Sequence, residues 1–261
     1  MLISFFYDIP RTISRAILAG YTPTQRAPGP HPNITLYCEN DRTVCPFYDD
    51  NGYVVGLQVA FDQDEFTDAV LDWTIQGFVE WEPPTNNGTL KRYWAKQQYF
   101  VDEEYLALDS SYRASIYDSS KTLQLDAVWL SGINGQLDKV SIALSDIENS
   151  IYTRQNCIPW MGRHYFYNMT KETLCEDDKL YPWFLLVSSG NAIGSGMLTY
   201  GKLPEKTEGR DWFERPPKLA VQVIAPTAPD CLLDLVETYG IMTIHIYYID
   251  DPWWVIDCFF N

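Results

Sequence analysis

Short apolar runs that alternate with polar residues dominate this chain, and turn residues separate them. Such alternation predicts β-strands, because successive side chains on a strand point to opposite faces of a sheet. Gly-containing turns predict tight hairpins at 51–52, 131–136 and 190–191. The predicted strands are 33–38, 53–61, 92–101, 121–130, 138–147, 181–189, 192–201, 242–250 and 253–260.

Two segments have helical periodicity instead. The segment 65–78 carries apolar residues at helical spacing and predicts a short amphipathic helix, with a twisted strand as the alternative. The segment 228–240 predicts a second helix, with Asp230 as its N-cap and Gly240 just past its end. The pattern therefore predicts an α+β protein that is predominantly antiparallel β with few short helices.

A cysteine-headed acidic phrase occurs twice, as CENDR at 38–42 and CEDDK at 175–179. Flanking turn residues match in the same order, which is what an internal duplication of units near 21–151 and 152–261 would leave. The alternative is coincidence, because hairpin turns draw on few residue types. The predicted organisation is an N-terminal arm (1–30), a β-rich first half (31–151) and a β-rich second half (152–261), forming either two units or one compact domain.

Charge narrows the classes of partner. The 261 residues carry a formal net charge of -16. Phosphate binding needs clustered Lys and Arg, so nucleic acid and anionic membrane surfaces are disfavoured as partners. No stretch is long and apolar enough to predict a membrane-spanning helix.

Cysteines and sequons indicate an oxidising, extracellular compartment. Six cysteines are present without a C-x-x-C pair, so zinc-ribbon and thioredoxin-like sites are disfavoured. N-glycosylation sequons begin at Asn33, Asn87 and Asn168. Against this, the N-terminus is a poor signal peptide, because charged residues and a proline interrupt its apolar run.

Nearest-neighbour pairing is our hypothesis for the disulfides, out of 15 arrangements that six cysteines allow. All six cysteines are predicted to be bonded. The hypothetical pairs are Cys38–Cys45, Cys157–Cys175 and Cys231–Cys258.

Two histidines are candidates for catalysis or metal binding. His164 and His245 both lie in strand-like segments, and Asp250 and Asp251 follow the second of them closely. Two imidazoles and a carboxylate can form an acid–base pair or hold a transition metal. No metal-binding motif supports this, so ordinary hydrogen-bonded sheet histidines are the alternative.

Acidic turns and paired aromatic residues are two further candidates. The turns CENDR, YDDNG and CEDDK offer carboxylates to Ca²⁺ but lack EF-hand spacing, and solvated turn charges are the alternative. Tyr247, Trp253 and Trp254 are candidate ligand-binding aromatics, with core packing as the alternative.

Together these features favour a secreted, disulfide-linked glycoprotein with a binding or structural role rather than an enzyme. Its predicted ligand is an extracellular carbohydrate, a small molecule or a protein. One alternative is a metal-assisted enzyme, such as a hydrolase, that uses His164 and His245. Another is an acidic matrix protein that interacts with calcium.

Overall fold

The computed structural model describes residues 7–84, 88–206, 209–255 and 258. Within these residues, thirteen strands form two antiparallel sheets. The first sheet has the order β1-β2-β3-β4-β6-β7-β8, and β5 pairs with β6. Its strands are β1 (Thr22–Thr24), β2 (Thr35–Cys38), β3 (Val44–Tyr48), β4 (Val54–Asp62), β5 (Val79–Trp81), β6 (Tyr93–Tyr99), β7 (Ala127–Ser131) and β8 (Leu137–Ser141).

The second sheet has the order β13-β12-β11-β10-β9. Its strands are β9 (Tyr152–Ile158), β10 (Gly162–Tyr167), β11 (Trp183–Ser188), β12 (Asn191–Tyr200) and β13 (Ile241–Tyr247). Six short α-helices connect or cover the sheets: α1 (Ile13–Leu18), α2 (Glu103–Ala107), α3 (Ser110–Ile116), α4 (Leu144–Glu148), α5 (Lys218–Ile224) and α6 (Asp230–Tyr239). The predicted β-rich fold with few short helices is confirmed. No helix in the described part of the chain is long and apolar enough to cross a membrane.

The two sheets share one core. Leu57 and Phe61 of β4 belong to the same buried cluster as Trp183 of β11, Met197 of β12 and Ile244 of β13. Each sheet buries its opposite face as well. The outer face of the first sheet belongs to a cluster that includes the Cys38–Cys45 disulfide, and the outer face of the second is covered by α5 and α6. The arrangement therefore has three apolar layers.

A polar bridge crosses the central layer. Gln98 of β6 is fully buried, and its Oε1 accepts hydrogen bonds from Trp183 Nε1 at 2.7 Å and Ser195 Oγ at 3.0 Å. Its Nε2 donates to Tyr248 Oη at 3.2 Å, and that hydroxyl donates to Ser195 Oγ at 2.7 Å. The bridge joins the first sheet to the second through side chains that are almost wholly buried.

Two predicted elements are wrong, and a third is wrong in part, because the predicted strand 138–147 ends at Ser141 and α4 follows it. The segment 65–78 is irregular, because the Asp72 carboxylate accepts hydrogen bonds from the backbone N–H groups of Thr74 and Ile75 and holds a turn there. Such local side-chain bonds compete with a helix. The predicted strand 253–260 begins instead with a 3₁₀ turn over Pro252–Trp254, while 256–257 and 259–261 lie outside the described residues.

The hairpin at 51–52 is confirmed, but the strand before it is β3, which the pattern missed. Gly52 has φ +77°, a left-handed conformation that glycine adopts without strain. Helix α6 is also confirmed, with Gly240 at its C-terminal end. Asp230 is the first helical residue of α6 rather than its cap.

The disulfides pair Cys38–Cys45, Cys157–Cys258 and Cys175–Cys231. The first predicted pair is confirmed and the other two are wrong. Cys157 of β9 lies near the C-terminal segment, and Cys231 of α6 lies over the loop that contains Cys175. Nearest-neighbour pairing failed because tertiary packing brings together cysteines 101 and 56 residues apart.

Several local contacts recur along the chain, although not within the predicted boundaries, because α1 lies in the predicted N-terminal arm and α4 lies within 31–151. Ile13 N–H donates to Gly52 O at 3.0 Å, and Leu144 N–H donates to Gly190 O at 3.0 Å, so α1 and α4 begin beside equivalent hairpins. The register partners Gly56↔Tyr99 in the first sheet correspond to Gly194↔Tyr247 in the second. The repeated cysteine phrases do not correspond in this way, because the disulfide of Cys38 lies within one hairpin whereas that of Cys175 leads to α6.

A lysine lies in the central layer. Lys96 is fully buried, and its Nζ donates to Gln76 O at 2.9 Å and to Ser131 O. Burial lowers the pKa of Lys96 to about 7, although the charge of Asp138 opposes the shift. Because the unfolded chain still holds this proton up to its ordinary pKa of 10.5, stability should rise with pH above 7 and fall as pH drops through that range.

We expect the free energy of unfolding to rise between pH 7.5 and 9.5 by up to about 1.4 kcal/mol per pH unit from Lys96. Lys96→Met should lose this slope. Urea unfolding of both proteins without reductant, at matched ionic strength, measures the difference. Parallel pH profiles for the two proteins would contradict a depressed pKa at Lys96.

Candidate functional site

A cavity opens beside the CENDR turn, and we call it the acidic-turn cleft. Its volume is about 410 Å³, within the usual range for small-molecule sites. It lies where the β2–β3 turn meets β4, the start of β6 and the chain after β12. Its lining residues are Asn40, Asp41, Arg42, Thr43, Ala60, Asp62, Glu65, Thr89, Lys91, Tyr93, Leu203 and Lys206.

Local structure fixes the turn that forms one wall of the cleft. The Cys38–Cys45 disulfide closes the turn at its base. Arg42 N–H donates to Glu39 O at 3.1 Å, and Thr43 N–H donates to an Asp41 carboxylate oxygen at 3.1 Å. The other oxygen of Asp41 accepts a hydrogen bond from Trp212 Nε1 at 2.7 Å. The wall is therefore held from both sides.

Charges in the cleft are balanced: the two lysines are paired with carboxylates, and Arg42 donates to the backbone oxygens of Asn40 and Pro84. Lys91 contacts Asp62 directly and lies 3.7 Å from a Glu65 oxygen, and Lys206 lies 3.9 Å from an Asp41 oxygen. Burial would lower the pKa of Lys91, but the hydrogen bond and charge of Asp62 outweigh it and raise that pKa above its usual value. Three cations, counting Arg42, thus face three carboxylates.

A second, smaller cavity lies between the second sheet and the helices α5 and α6. We call it the histidine cavity. Its volume is about 50 Å³, and both candidate histidines line it. The ring centroids of His164 and His245 are 5.9 Å apart, with the Phe184 ring 5.5 Å from the first and 5.4 Å from the second. The structure therefore brings the two histidines together, which the sequence could not show.

Glycines on β12 allow this convergence. His164 on β10 and His245 on β13 are separated by β11 and β12, so their backbones are far apart. A Cβ atom at Gly196 would lie 2.0 Å from the Phe184 ring, so only glycine leaves room for that ring. Because Gly196 has no side chain, β12 leaves space on this face of the sheet, and side chains from β10, β11 and β13 meet in that space.

Glu214, which the sequence analysis missed, is the carboxylate beside His245. It pairs with Thr243 through two backbone hydrogen bonds of 2.8 and 3.0 Å, at the edge of β13. Its Oε1 lies 2.9 Å from His245 Nδ1. Asp250, one of the two predicted carboxylates, pairs instead with Arg11, and Asp251 is exposed before the 3₁₀ turn.

His164 is held in its neutral form. His164 is 1% exposed, and neither ring nitrogen has a partner at strict hydrogen-bond geometry among the described residues; the backbone groups of Asn156 and Gly162 make only looser contacts with the ring. Burial, and secondarily His245, lower the pKa of His164 to about 3, while backbone groups of Asn156 and Gly162 act weakly in the opposite direction. The alternative of an ordinary hydrogen-bonded sheet histidine stays a prediction for His164.

The remaining candidate residues lie elsewhere. Tyr247 packs among the residues under α5 and α6, and its hydroxyl donates to Trp160 O at 3.4 Å. Trp253 and Trp254 are 43% and 71% exposed in the 3₁₀ turn. Their role in ligand binding stays a prediction.

Two sequons and one acidic turn can be placed. Asn33 and Asn168 are exposed, and Asn87 lies outside the described residues. In the YDDNG turn, the carboxylates of Asp49 and Asp50 both pair with the buried guanidinium of Arg113. Among the residues whose placement is described, no group of three or more His, Cys, Asp or Glu side chains is arranged to hold a metal ion.

Comparison of the chain with protein-family models, with curated proteins and with solved structures finds no match. The geometry of the two cavities is therefore the basis for assigning a role.

We expect His164→Phe to remove a pH dependence on the acid side. A folded-state pKa of about 3 against an ordinary 6.5 means that the unfolded chain binds this proton first, so wild-type stability falls as pH drops from about 6.5 towards 3. Urea unfolding at pH 6.5, 5.5 and 4.5 compares the two proteins. Lys96→Met is the control, because its effect lies above pH 7; equal acid slopes in wild type and His164→Phe would refute the assignment.

Proposed function

We propose that this protein is an extracellular, disulfide-stabilised binding protein whose ligand is a small neutral carbohydrate held in the acidic-turn cleft. The observation that carries the proposal is a cleft of about 410 Å³ in which three cationic and three anionic side chains face one another. Three disulfides among the six cysteines are compatible with the extracellular compartment.

The pairing of the charges favours an uncharged ligand. An anion would have to compete with Asp62 and Glu65 for Lys91, and a cation would meet Lys91 and Lys206 at the same wall. A sugar hydroxyl both donates and accepts, so a carbohydrate can bond to carboxylates and ammonium groups without separating them. Ala60, Tyr93 and Leu203 add apolar lining for the faces of a sugar ring.

A metal-assisted hydrolase remains the second candidate function. The 2.9 Å contact between Glu214 and His245 favours it, because a carboxylate can orient and activate an imidazole. The histidine cavity and the acidic-turn cleft share no lining residue, however. A substrate held in the cleft would therefore not contact these histidines.

The calcium-binding matrix role has less support. In the YDDNG turn, Asp49 and Asp50 already pair with Arg113, and in the CEDDK turn Asp178 pairs with Lys179. Calcium would have to displace these cations in order to use the carboxylates.

We also infer an internal duplication of a helix–meander unit, with units that begin at α1 and α4 rather than near 21 and 152. The equivalent hydrogen bonds of α1 and α4 and the equivalent registers around Gly56 and Gly194 support it. Further support is the pair of backbone bonds from Phe100 N–H to Val55 O and from Tyr248 N–H to Ile193 O, each of 2.8 Å. Aligning the sequences of the two units in related proteins tests this inference. Sequence similarity between the units that is greater in early-diverging relatives supports a duplication, whereas similarity no higher than chance opposes it.

Lys206→Ala and Glu65→Ala should each weaken carbohydrate binding about tenfold or more, since each removes a charged hydrogen-bonding group worth about 1.5–3 kcal/mol. A glycan array followed by calorimetry with the best neutral sugar measures this. The same sugar carrying an added carboxylate or amine should bind more weakly. Lys121→Ala, at an exposed lysine outside the cleft, is the matched control.

Two outcomes would overturn the cleft as the binding site. One is unchanged affinity in both variants while a sugar still binds. The other is absence of binding across the array by protein whose three disulfides are closed.

Secretion from eukaryotic cells, with a leader supplied, should give three closed disulfides and glycan on Asn33 or Asn168. Both asparagines are exposed, as glycan attachment requires. Intact mass before and after deglycosylation, with peptide mapping, measures both features. Mapping should recover Cys157–Cys258 and Cys175–Cys231 peptides; free thiols and an unmodified mass would contradict the extracellular proposal.

A further inference from the structure

Several buried polar atoms in the histidine cavity have no hydrogen-bond partner among the residues that the structure describes, which is energetically unfavourable in an apolar core. Nε2 of His245 and both ring nitrogens of His164 are buried without a partner at strict hydrogen-bond geometry in the described part of the chain, and only looser contacts with the backbone of Asn156 and Gly162 reach the His164 ring. Each buried polar group without a partner costs about 1–3 kcal/mol. Buried polar side chains in native proteins are nearly always satisfied by protein, water or an ion. Three such atoms at one place therefore point to an occupant.

The cavity limits what that occupant is. Its volume is about 50 Å³, whereas an engineered apolar cavity that binds benzene has about 150 Å³. Apolar side chains from α5 and α6, including Val221, Ile224 and Leu232, close it on one side. An ion with one or two water molecules fits this volume, and a drug-sized organic ligand does not.

Glu214 gives the second, independent observation. Its Oε1 lies 2.9 Å from His245 Nδ1, which makes Nδ1 the protonated nitrogen and leaves a lone pair on Nε2. A carboxylate bonded to the far nitrogen of a histidine is the arrangement that orients metal-binding imidazoles in proteins. Here the nitrogen freed by that arrangement is one of the unpaired atoms.

We propose that the histidine cavity binds a transition-metal ion of the zinc–copper type through Nε2 of His245 and one ring nitrogen of His164, with Glu214 orienting His245. Imidazole suits Zn²⁺ and Cu²⁺. The ring centroids, 5.9 Å apart, leave room for an ion about 2.1 Å from one nitrogen of each ring.

Water completes the coordination sphere. In the described part of the chain, no third His, Cys, Asp or Glu joins the two histidines as a direct ligand. Glu214 is bonded to the nitrogen of His245 that faces away from the ion and acts through that histidine. Solvent-filled positions distinguish this site from a structural zinc site, in which four protein ligands close the sphere. The site is independent of carbohydrate binding in the cleft.

Titration of the full-length, disulfide-intact protein with Zn²⁺ and with Cu²⁺ tests the proposal. Calorimetry should give one ion per chain, and the electron paramagnetic resonance spectrum of the Cu²⁺ form should show coupling to two imidazole nitrogens. His245→Gln and His164→Gln should each lose this binding. Glu214→Gln should weaken it by about 10–100-fold while the two-nitrogen spectrum persists.

His31→Gln is the matched control. His31 is also buried with an unpaired Nε2, but its ring packs edge-on against Tyr99 and does not line the cavity with the other two histidines. This variant should bind the ion as wild type does. Should His164→Gln fail to fold, Glu214→Gln still decides, because the Glu214 side chain is 51% exposed whereas that of His245 is 8% exposed.

Three results would overturn the proposal. The first is no stoichiometric binding of either ion, which would leave ordered water as the occupant. The second is binding that His245→Gln and Glu214→Gln leave unchanged, which would place the ion elsewhere on this acidic surface. The third is equal loss in His31→Gln, which would indicate a general effect on folding.

Discussion

The hydrogen bonds of Gln98 fix how the two sheets face each other. Apolar contacts alone allow sheets to slide, since the hydrophobic effect has no direction. Gln98, Trp183 and Ser195 are each fully buried, so a shift that broke their bonds would leave polar groups unpaired at about 1–3 kcal/mol each. Tyr248 closes the network, and all four side chains then have partners. Burial supplies most of the stability here, and the polar network supplies the register.

Once the central layer is fixed, the two outer layers are free to differ. The outer face of the first sheet carries the Cys38–Cys45 disulfide, beside which the acidic-turn cleft opens. The outer face of the second sheet is covered by α5 and α6, and the Cys175–Cys231 disulfide ties α6 to the loop before β11. The first sheet, with Leu203 and Lys206 that follow β12, lines an open charged cleft, whereas the second sheet lines a small cavity under α5 and α6.

The sequence was sufficient for the longer strands, including β4 and β12, whose residues are almost all buried. Strand β3 was missed because its five residues include Pro46 and lie within a segment rich in turn residues. The segment 65–78 has helical spacing, but Asp72 and the pairing of Thr67 with Lys202 hold it in turns. For the site, His164 and His245 were identifiable by residue type. Glu214 was not, because only the bridge to Thr243, formed in the fold, brings it to His245.

The placement of cations explains why the cleft is distinctive on so acidic a chain. Of the 19 Lys and Arg residues, four are buried (Arg11, Arg42, Lys96 and Arg113), whereas among the carboxylates of the described residues only Asp49 and Asp62 are buried. Because more cations than anions are buried in this part of the chain, the solvent-exposed surface is more negative than the net charge of -16. Such a surface repels anions at a distance and attracts cations along its whole extent. Lys91 and Lys206 make the cleft locally neutral. The acidic surface around it neither repels a neutral ligand nor binds that ligand at other places.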